Sequence, residues 1–148
     1  ELVCDLYCGA GTISLMLARH CRQVLGVEIV PQAIENAKAN ALHNGIGNVD
    51  FHCAPAEELL PRLVERGLRP QVMVVDPPRK GLEPAVIDAM AQATPERIVY
   101  VSCNPATLAR DAALLCQRGY TLEKVQSVDM FCWTSGIETV AQFVRSQA

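Results

Sequence analysis

Apolar runs alternate along the chain with segments of helical periodicity, and this pattern predicts five strand–helix units followed by two further strands. The fourth run is apolar throughout its centre, which is typical of a parallel strand buried on both faces. The predicted strands are 2–7, 23–28, 49–53, 71–76, 97–102, 120–129 and 137–144. The predicted helices are 12–19, 31–44, 57–65, 84–93 and 105–118.

Five such units in series predict an α/β fold, a parallel sheet with helices on both faces. No helix separates the last two strands, so we expect them to form an antiparallel pair at one edge. The 148 residues contain no repeat, low-complexity tract or linker, and we expect one domain. Its functional loops should follow the carboxyl ends of the strands.

Composition and charge narrow the classes of function. The chain is 50% hydrophobic and 20% charged, which is typical of a globular protein. With 13 basic and 16 acidic residues, its formal charge of −3 argues against nucleic-acid binding by bulk charge alone. No apolar run approaches the ~18 residues that a membrane span requires, so we expect no membrane contact.

The seven cysteines form no CxxC pair, and the three histidines are too few for a convincing zinc site. We therefore expect no metal. An odd number of scattered cysteines favours reduced, mostly buried thiols and a cytoplasmic location.

A glycine turn follows the first predicted strand. Asp5 lies near the end of the strand, and Gly9 and Gly11 let a ligand approach the backbone at the start of the next helix. Glu28 ends the second strand, where a carboxylate accepts hydrogen bonds from the ribose hydroxyls of a nucleoside. A tight turn without a ligand is the other interpretation of this pattern.

The turn favours a nucleoside without phosphates. Ser14 and Leu15 stand where a dinucleotide-binding pattern has its third glycine, and the carboxylate of Asp5 would repel a pyrophosphate. S-adenosylmethionine meets both conditions, because it lacks phosphate and carries a sulfonium and an ammonium group. Residues 53–57 are a weaker candidate for pairing with the adenine edge, and a plain loop explains them equally well.

Three later loops carry residues suited to a reaction. Asp76 opens the segment DPPRKG, whose prolines stiffen the loop that holds the carboxylate. Cys103 lies between a strand and a helix N-terminus, a position that lowers the pKa of a thiol. Glu138 precedes an apolar strand and is suited to act as a general base with a raised pKa. The alternatives are a structural turn, a buried inert thiol and a surface acid.

Five motifs occur in order along the chain: DLYCGAGT, VEIVPQAIENAKANA, DPPRKG, VSCNPATLARD and DMF…IETVA. In these motifs the chain closely resembles the RNA uracil-C5 methyltransferases, S-adenosylmethionine-dependent enzymes that form 5-methyluridine in tRNA and bacterial ribosomal RNA. The resemblance runs from Asp5 to about Phe143. It implies the class I methyltransferase fold, a Rossmann-like seven-stranded sheet with an antiparallel last strand. It also implies an RNA substrate, and we expect ribosomal RNA ahead of tRNA.

The resemblance implies roles for individual residues. The cysteine of SCNP, here Cys103, adds to C6 of uracil and makes C5 nucleophilic. The glutamate of the ETV motif, here Glu138, removes the C5 proton. The acid of DPPR, here Asp76, contacts the target base, which must leave its stack to enter the pocket. The residues expected to bind the cofactor are Asp5, Tyr7, Gly9, Gly11, Glu28 and Asp76.

The chain departs from the family pattern in its last loop. Many members read DMFPHTSHVE there, whereas Cys132, Trp133 and Gly136 stand at the Pro and His positions. Trp133 is suited either to stack on a base or to pack. Arg79 follows the prolines where amino methyltransferases carry an aromatic residue, which argues against a target amino group. Arg79 or Lys80 could contact an RNA phosphate or the enolate oxygen.

Full-length members of this family carry RNA-binding domains upstream. Because strand-like sequence begins at Glu1, we expect the chain to be the C-terminal catalytic part of a longer protein whose upstream domains bind the RNA. The oligomeric state stays open. Two other functions also stay open: methylation of another base or a protein amide, and a non-catalytic nucleotide- or RNA-binding module.

Overall fold

Seven strands and five helices alternate along residues 1–129 and 137–147, the part of the chain that the computed structural model describes. The strands are β1 (Leu2–Leu6), β2 (Gln23–Glu28), β3 (Val49–Cys53), β4 (Val72–Val75), β5 (Arg97–Ser102), β6 (Tyr120–Val128) and β7 (Glu138–Arg145). The helices are α1 (Thr12–Ala18), α2 (Pro31–His43), α3 (Ala56–Glu65), α4 (Pro84–Ala93) and α5 (Pro105–Gln117). Cys132, Trp133 and Gly136 lie outside the described residues.

The strands form one sheet in the order β3-β2-β1-β4-β5-β7-β6. The pairs among β1 to β5 are parallel, whereas β7 runs antiparallel to both β5 and β6. This arrangement confirms the predicted parallel sheet and the antiparallel pair at its edge. The strand order reverses between β1 and β4, the point at which open α/β sheets bind their ligands.

Helices cover both faces of the sheet, as predicted. Adjacent strand residues point to opposite faces, so Cys4 packs against α3 and α4 while Val3 packs on the side of α1. The larger core lies under α3, α4 and α5, where Tyr100 and Phe143 are fully buried.

Each helix begins at or directly after a proline or glycine, and prolines also set the end of β4. Strand β4 stops at Val75 and excludes Asp76, because the two following prolines lack the N–H that a sheet ladder needs. Prolines stand in the first turns of α2, α4 and α5, where a missing N–H costs nothing. The side chain of Asn104 caps α5 by accepting a hydrogen bond from the backbone N–H of Ala106 at 3.0 Å, as predicted.

The ring of Phe51 on β3 fills the space beside the glycine turn. A Cβ added to Gly26 would lie 2.7 Å from Cδ1 of this ring, and one added to Gly11 would lie 2.9 Å from its Cζ. Both glycines therefore provide room for the ring. In this way β3 supports the turn that follows β1.

Gly26→Ala should destabilise the protein by about 1–3 kcal/mol, because the new methyl group overlaps the Phe51 ring. Urea unfolding measures the change. Gly47→Ala is the matched control, since nothing lies within 4 Å of a Cβ there. In a Phe51→Leu background the cost of Gly26→Ala should fall. Equal costs for Gly26→Ala and Gly47→Ala would contradict this packing.

Candidate active site

The predicted site residues lie along one edge of the sheet on neighbouring strands. Glu28 ends β2, the glycine turn follows β1, and Asp76 follows β4. Cys103 follows β5, and Glu138 begins the antiparallel β7 at the same edge. Since adjacent strands are about 4.8 Å apart, the five positions form a row across the sheet.

The turn after β1 is a compact left-handed structure. Tyr7, Gly9 and Gly11 have positive φ angles of 62°, 56° and 84°. Tyr7 is not a glycine, so its conformation costs energy that the surrounding contacts must offset. The backbone N–H of Gly9 donates to Oε1 of Glu28 at 3.1 Å, and that of Val30 donates to Oε2 at 3.0 Å. Two backbone donors thus hold the Glu28 carboxylate in a fixed orientation beside the turn.

The side chain of Asp5 lies beneath the turn. It is fully buried within β1, and Oγ of Ser14 donates to its Oδ2 at 2.6 Å. Its Oδ1 has no hydrogen-bond partner among the described residues. Burial raises the pKa of Asp5 to about 7, and the charge of Asp76 contributes in the same direction. A buried carboxyl oxygen without a donor is costly to ionise, in agreement with the raised pKa.

A cavity of about 350 Å³ lies between this turn and the DPPRKG loop. Its volume is in the range of small-molecule sites. Among the predicted cofactor residues, Tyr7, Glu28 and Asp76 line it, whereas Asp5, Gly9 and Gly11 do not. The remaining lining residues are Val27, Ile29, Ala54, Pro55, Ala56, Glu57, Pro78, Lys80 and Glu83. Four residues of the segment 53–57, the weaker candidate for an adenine contact, therefore form one wall, and Cys53 does not line the cavity.

Asp76 and Glu138 are close enough to affect each other electrostatically. Burial, followed by the charge of Glu138, raises the pKa of Asp76. The Oε2 atom of Glu138 is buried and has no hydrogen-bond partner among the described residues. An unpartnered carboxylate oxygen at a strand end is chemically suited to accept a proton.

Cys103 and Glu138 are neighbours across the sheet. The last residue pair in the β5–β7 ladder is Ser102 opposite Thr139. Cys103 directly follows β5 and Glu138 is the first residue of β7, so each is the next residue beyond this last pair. Cys103 is partly buried, directly before the N-terminus of α5. Both positions therefore lie at the end of this ladder, and Asp76 follows the neighbouring strand β4.

Sequence reasoning missed residues that shape this site without carrying obvious chemistry. Ile29 is 58% exposed and lines the cavity. The sequence feature that could have identified it is the apolar pair Ile29–Val30 directly after the strand end at Glu28. Asp111 is fully buried beneath the DPPRKG loop. The sequence feature that could have identified Asp111 is an acidic residue on the buried face of an amphipathic helix. A buried carboxylate there requires hydrogen-bond donors.

Metal-binding clusters and membrane-spanning helices are both absent from residues 1–129 and 137–147. This part of the chain contains no group of three or more His, Cys, Asp and Glu side chains arranged to hold a metal ion. None of its helices is both long and apolar enough to cross a membrane.

The sheet order, with its antiparallel seventh strand, defines the class I methyltransferase fold. The tRNA (uracil-54, C5)-methyltransferase of Pyrococcus abyssi, solved in complex with S-adenosyl-L-homocysteine, superposes with a TM-score of 0.85 at 34% identity. The match covers 97% of this chain and 34% of that chain. An rRNA methylase from Streptococcus thermophilus shares the fold, with a TM-score of 0.78 at 14% identity, over 99% of this chain and 87% of that chain.

Residues 1–145 match the family model described as tRNA (Uracil-5-)-methyltransferase, and the chain belongs to that family. Uncharacterized RNA methyltransferases of Clostridium acetobutylicum and Enterococcus faecalis are both 52% identical to it, over 145 and 146 residues. These matches cover 98% and 99% of this chain and 32% of each relative. The chain therefore spans about a third of the length of these relatives. The predicted family and fold are confirmed.

The raised pKa of Asp5 predicts a pH-dependent stability. The unfolded carboxyl has a pKa of 3.8 and the folded one about 7, so the folded state binds more protons between these values. The neutral carboxyl therefore contributes stability below about pH 4 that is lost as the pH rises through 7.

Asp5→Asn should reduce the loss of stability between pH 4 and 8 by roughly 2–4 kcal/mol, because it removes the titrating group. Urea unfolding at each pH measures it. Asp50→Asn is the control, since Asp50 is exposed on β3. A pH dependence that is the same in the wild type and Asp5→Asn would show that Asp5 ionises normally in the folded protein.

Proposed function

We propose that the protein to which this chain belongs transfers a methyl group from S-adenosylmethionine to C5 of a uridine in RNA, through a covalent adduct on Cys103. The observation that carries the proposal is the neighbouring position of Cys103 and Glu138 at the end of the β5–β7 ladder. Family membership supports the uracil substrate class. The Pyrococcus abyssi relative, solved with S-adenosyl-L-homocysteine, supports the methyl donor.

The cavity beside the glycine turn fits S-adenosylmethionine. The fixed carboxylate of Glu28 is suited to accept hydrogen bonds from the ribose hydroxyls. Ile29 and Pro55 offer apolar surface to an adenine ring. When bound, S-adenosylmethionine would supply the electrophilic methyl group to the activated C5, its S–CH3 bond breaking to leave S-adenosyl-L-homocysteine.

Uracil C5 is a poor nucleophile, so the protein must first activate the ring. The Cys103 thiolate adds to C6, and the electrons of the C5–C6 double bond move onto C5 and the O4 carbonyl. After methylation, C5 still carries its proton. Glu138 removes that proton, the double bond re-forms, and the bond between C6 and the Cys103 sulfur breaks. Asp76 lies on the next strand end and is proposed to hold the uracil ring in place.

The RNA is proposed to be a ribosomal RNA or a tRNA. Sequence reasoning put ribosomal RNA first, whereas the Pyrococcus abyssi relative acts on a tRNA. We propose that segments outside this acidic chain provide the basic surface that holds the RNA, because a formal charge of −3 gives little attraction to phosphates. The chain spans about a third of its relatives, which leaves room for such segments in those proteins. Methylation should therefore be measured on both ribosomal RNA and tRNA substrates.

Cys103→Ala in the full-length protein should lower 5-methyluridine formation by more than about 1,000-fold, because the activating nucleophile is lost. Mass spectrometry of nucleosides from ribosomal RNA and tRNA substrates measures the product. Cys116→Ala is the matched control, an exposed thiol on the same segment of chain.

RNA with 5-fluorouridine gives a second measurement for these variants. Fluorine at C5 cannot be removed as a proton, so the wild type and Cys116→Ala should accumulate a covalent RNA adduct visible on denaturing gels, and Cys103→Ala should form none. Full activity in Cys103→Ala would rule out the covalent mechanism.

Glu138→Gln should stop the reaction after methyl transfer, because the amide cannot accept the C5 proton. With ordinary uridine RNA, this variant should accumulate an RNA adduct that carries the methyl group, detectable by intact mass. Glu123→Gln on the exposed strand β6 is the control and should release product normally. Normal turnover in Glu138→Gln would assign proton removal to another group.

A further inference from the structure

A buried carboxylate joins three parts of the site. Asp111 on α5 is 0% exposed. Its Oδ2 accepts hydrogen bonds from the backbone N–H of Leu82 at 2.8 Å and from the hydroxyl of Tyr100 at 2.7 Å. Its Oδ1 accepts one from Nε of Arg110 at 3.1 Å. Leu82 directly follows the DPPRKG loop, and Tyr100 lies on β5 three residues before Cys103.

The loop lies directly against this carboxylate. Gly81 has a φ of +77°, and a Cβ added there would lie 2.5 Å from Oδ2 of Asp111 and 2.6 Å from Nη2 of Arg110. No side chain fits between the loop backbone and Asp111. The backbone N–H of Leu82 can reach Oδ2 because residue 81 is a glycine.

Three more hydrogen bonds hold the same loop to α5. Nδ2 of Asn104 and Oγ1 of Thr107 donate to the carbonyl oxygen of Arg79, at 3.1 and 3.0 Å. Nη2 of Arg110 donates to the carbonyl oxygen of Lys80 at 2.7 Å. Residues 79–82 of the loop that begins at Asp76 are therefore hydrogen-bonded to α5 and its N-cap. The N-cap residue, Asn104, directly follows Cys103.

Stability alone is a poor reason for an acid at position 111. Removing a carboxylate from water is costly, and apolar residues of similar volume often serve a core equally well. The carboxylate instead fixes the position of the loop relative to β5, because one oxygen accepts from both the backbone N–H of Leu82 and the phenol of Tyr100. Burial leaves few alternative donors for it, so the loop has one well-defined position.

We propose that Asp111 is a positioning residue, which fixes Asp76 relative to Cys103 by binding the loop backbone and β5 through one carboxylate oxygen. The inference rests on the proposed function, because Asp76 and Cys103 act on the same uracil ring there. Asp111 itself touches neither the ring nor the methyl donor. Its effect is on the geometry of the reacting groups, and small misplacements of such groups reduce rates strongly.

Asp111→Ala and Asp111→Asn in the full-length protein test this proposal. The asparagine oxygen can still accept from Leu82 and Tyr100, and only the bond from Arg110 to the second oxygen is lost. Alanine leaves all three donors without this acceptor. At saturating S-adenosylmethionine and RNA, the single-turnover rate of 5-methyluridine formation should fall about 100-fold in Asp111→Ala. It should stay within about threefold of the wild type in Asp111→Asn.

Two tyrosine variants separate positioning from loss of stability. Tyr100→Phe removes the phenol that binds Asp111, and Tyr120→Phe removes another buried phenol, which donates to the carbonyl of Pro95 at 2.8 Å. Both lose one buried hydrogen bond, but only Tyr100→Phe should slow the single-turnover rate. This pair decides the question even if Asp111→Ala does not fold.

Hydrogen exchange gives a readout that does not depend on activity. The amides of residues 79–82 should exchange faster in Asp111→Ala than in the wild type, and should be unchanged in Tyr120→Phe. A rate near that of the wild type in Asp111→Ala, or equal losses in Tyr100→Phe and Tyr120→Phe, would overturn the proposal. A wild-type protein that forms no 5-methyluridine would instead overturn the proposed function, and exchange would then decide alone whether Asp111 holds the loop.

Discussion

The hydrogen-bonded ladder between β5 and β7 is the constraint on which the site depends. It pairs residues whose positions are 37 to 47 apart in sequence, and it ends at Ser102 opposite Thr139. A shift of this register by one residue would turn every side chain of β7 to the other face. Glu138 would then no longer lie beside Cys103. The buried positions of Ala141 and Phe143 oppose such a shift, since it would expose them.

The two halves of the site depend on different kinds of contact. On the cofactor side, backbone N–H groups orient the Glu28 carboxylate, and the Phe51 ring supports the glycine turn. On the reaction side, side chains of α5 bind carbonyl and N–H groups of the DPPRKG loop. Asp76 lies between the halves and lines the cavity. One rigid loop therefore connects the proposed methyl donor site with the proposed uracil site.

Much of the fold was predictable because the local signals agree with one another. The bounds of β2, β3, α4 and β5 match the prediction, and they coincide with abrupt changes between apolar runs and turn residues. The cap of α5 was also predictable, because Asn followed by Pro is a local signal. At β4 the predicted end at Asp76 was one residue too far, because the two prolines that follow Asp76 end the ladder at Val75.

The sequence by itself determined which residue types stand at the strand ends, the order of the elements and the family to which the chain belongs. It did so because motifs and periodicity are local in the chain. Only the tertiary structure decided that Asp5 is buried beneath its turn, that Glu138 lies beside Cys103 and that Asp111 binds the backbone of Leu82. Those relations join residues far apart in sequence, and they follow from sheet register and burial, which no local pattern contains.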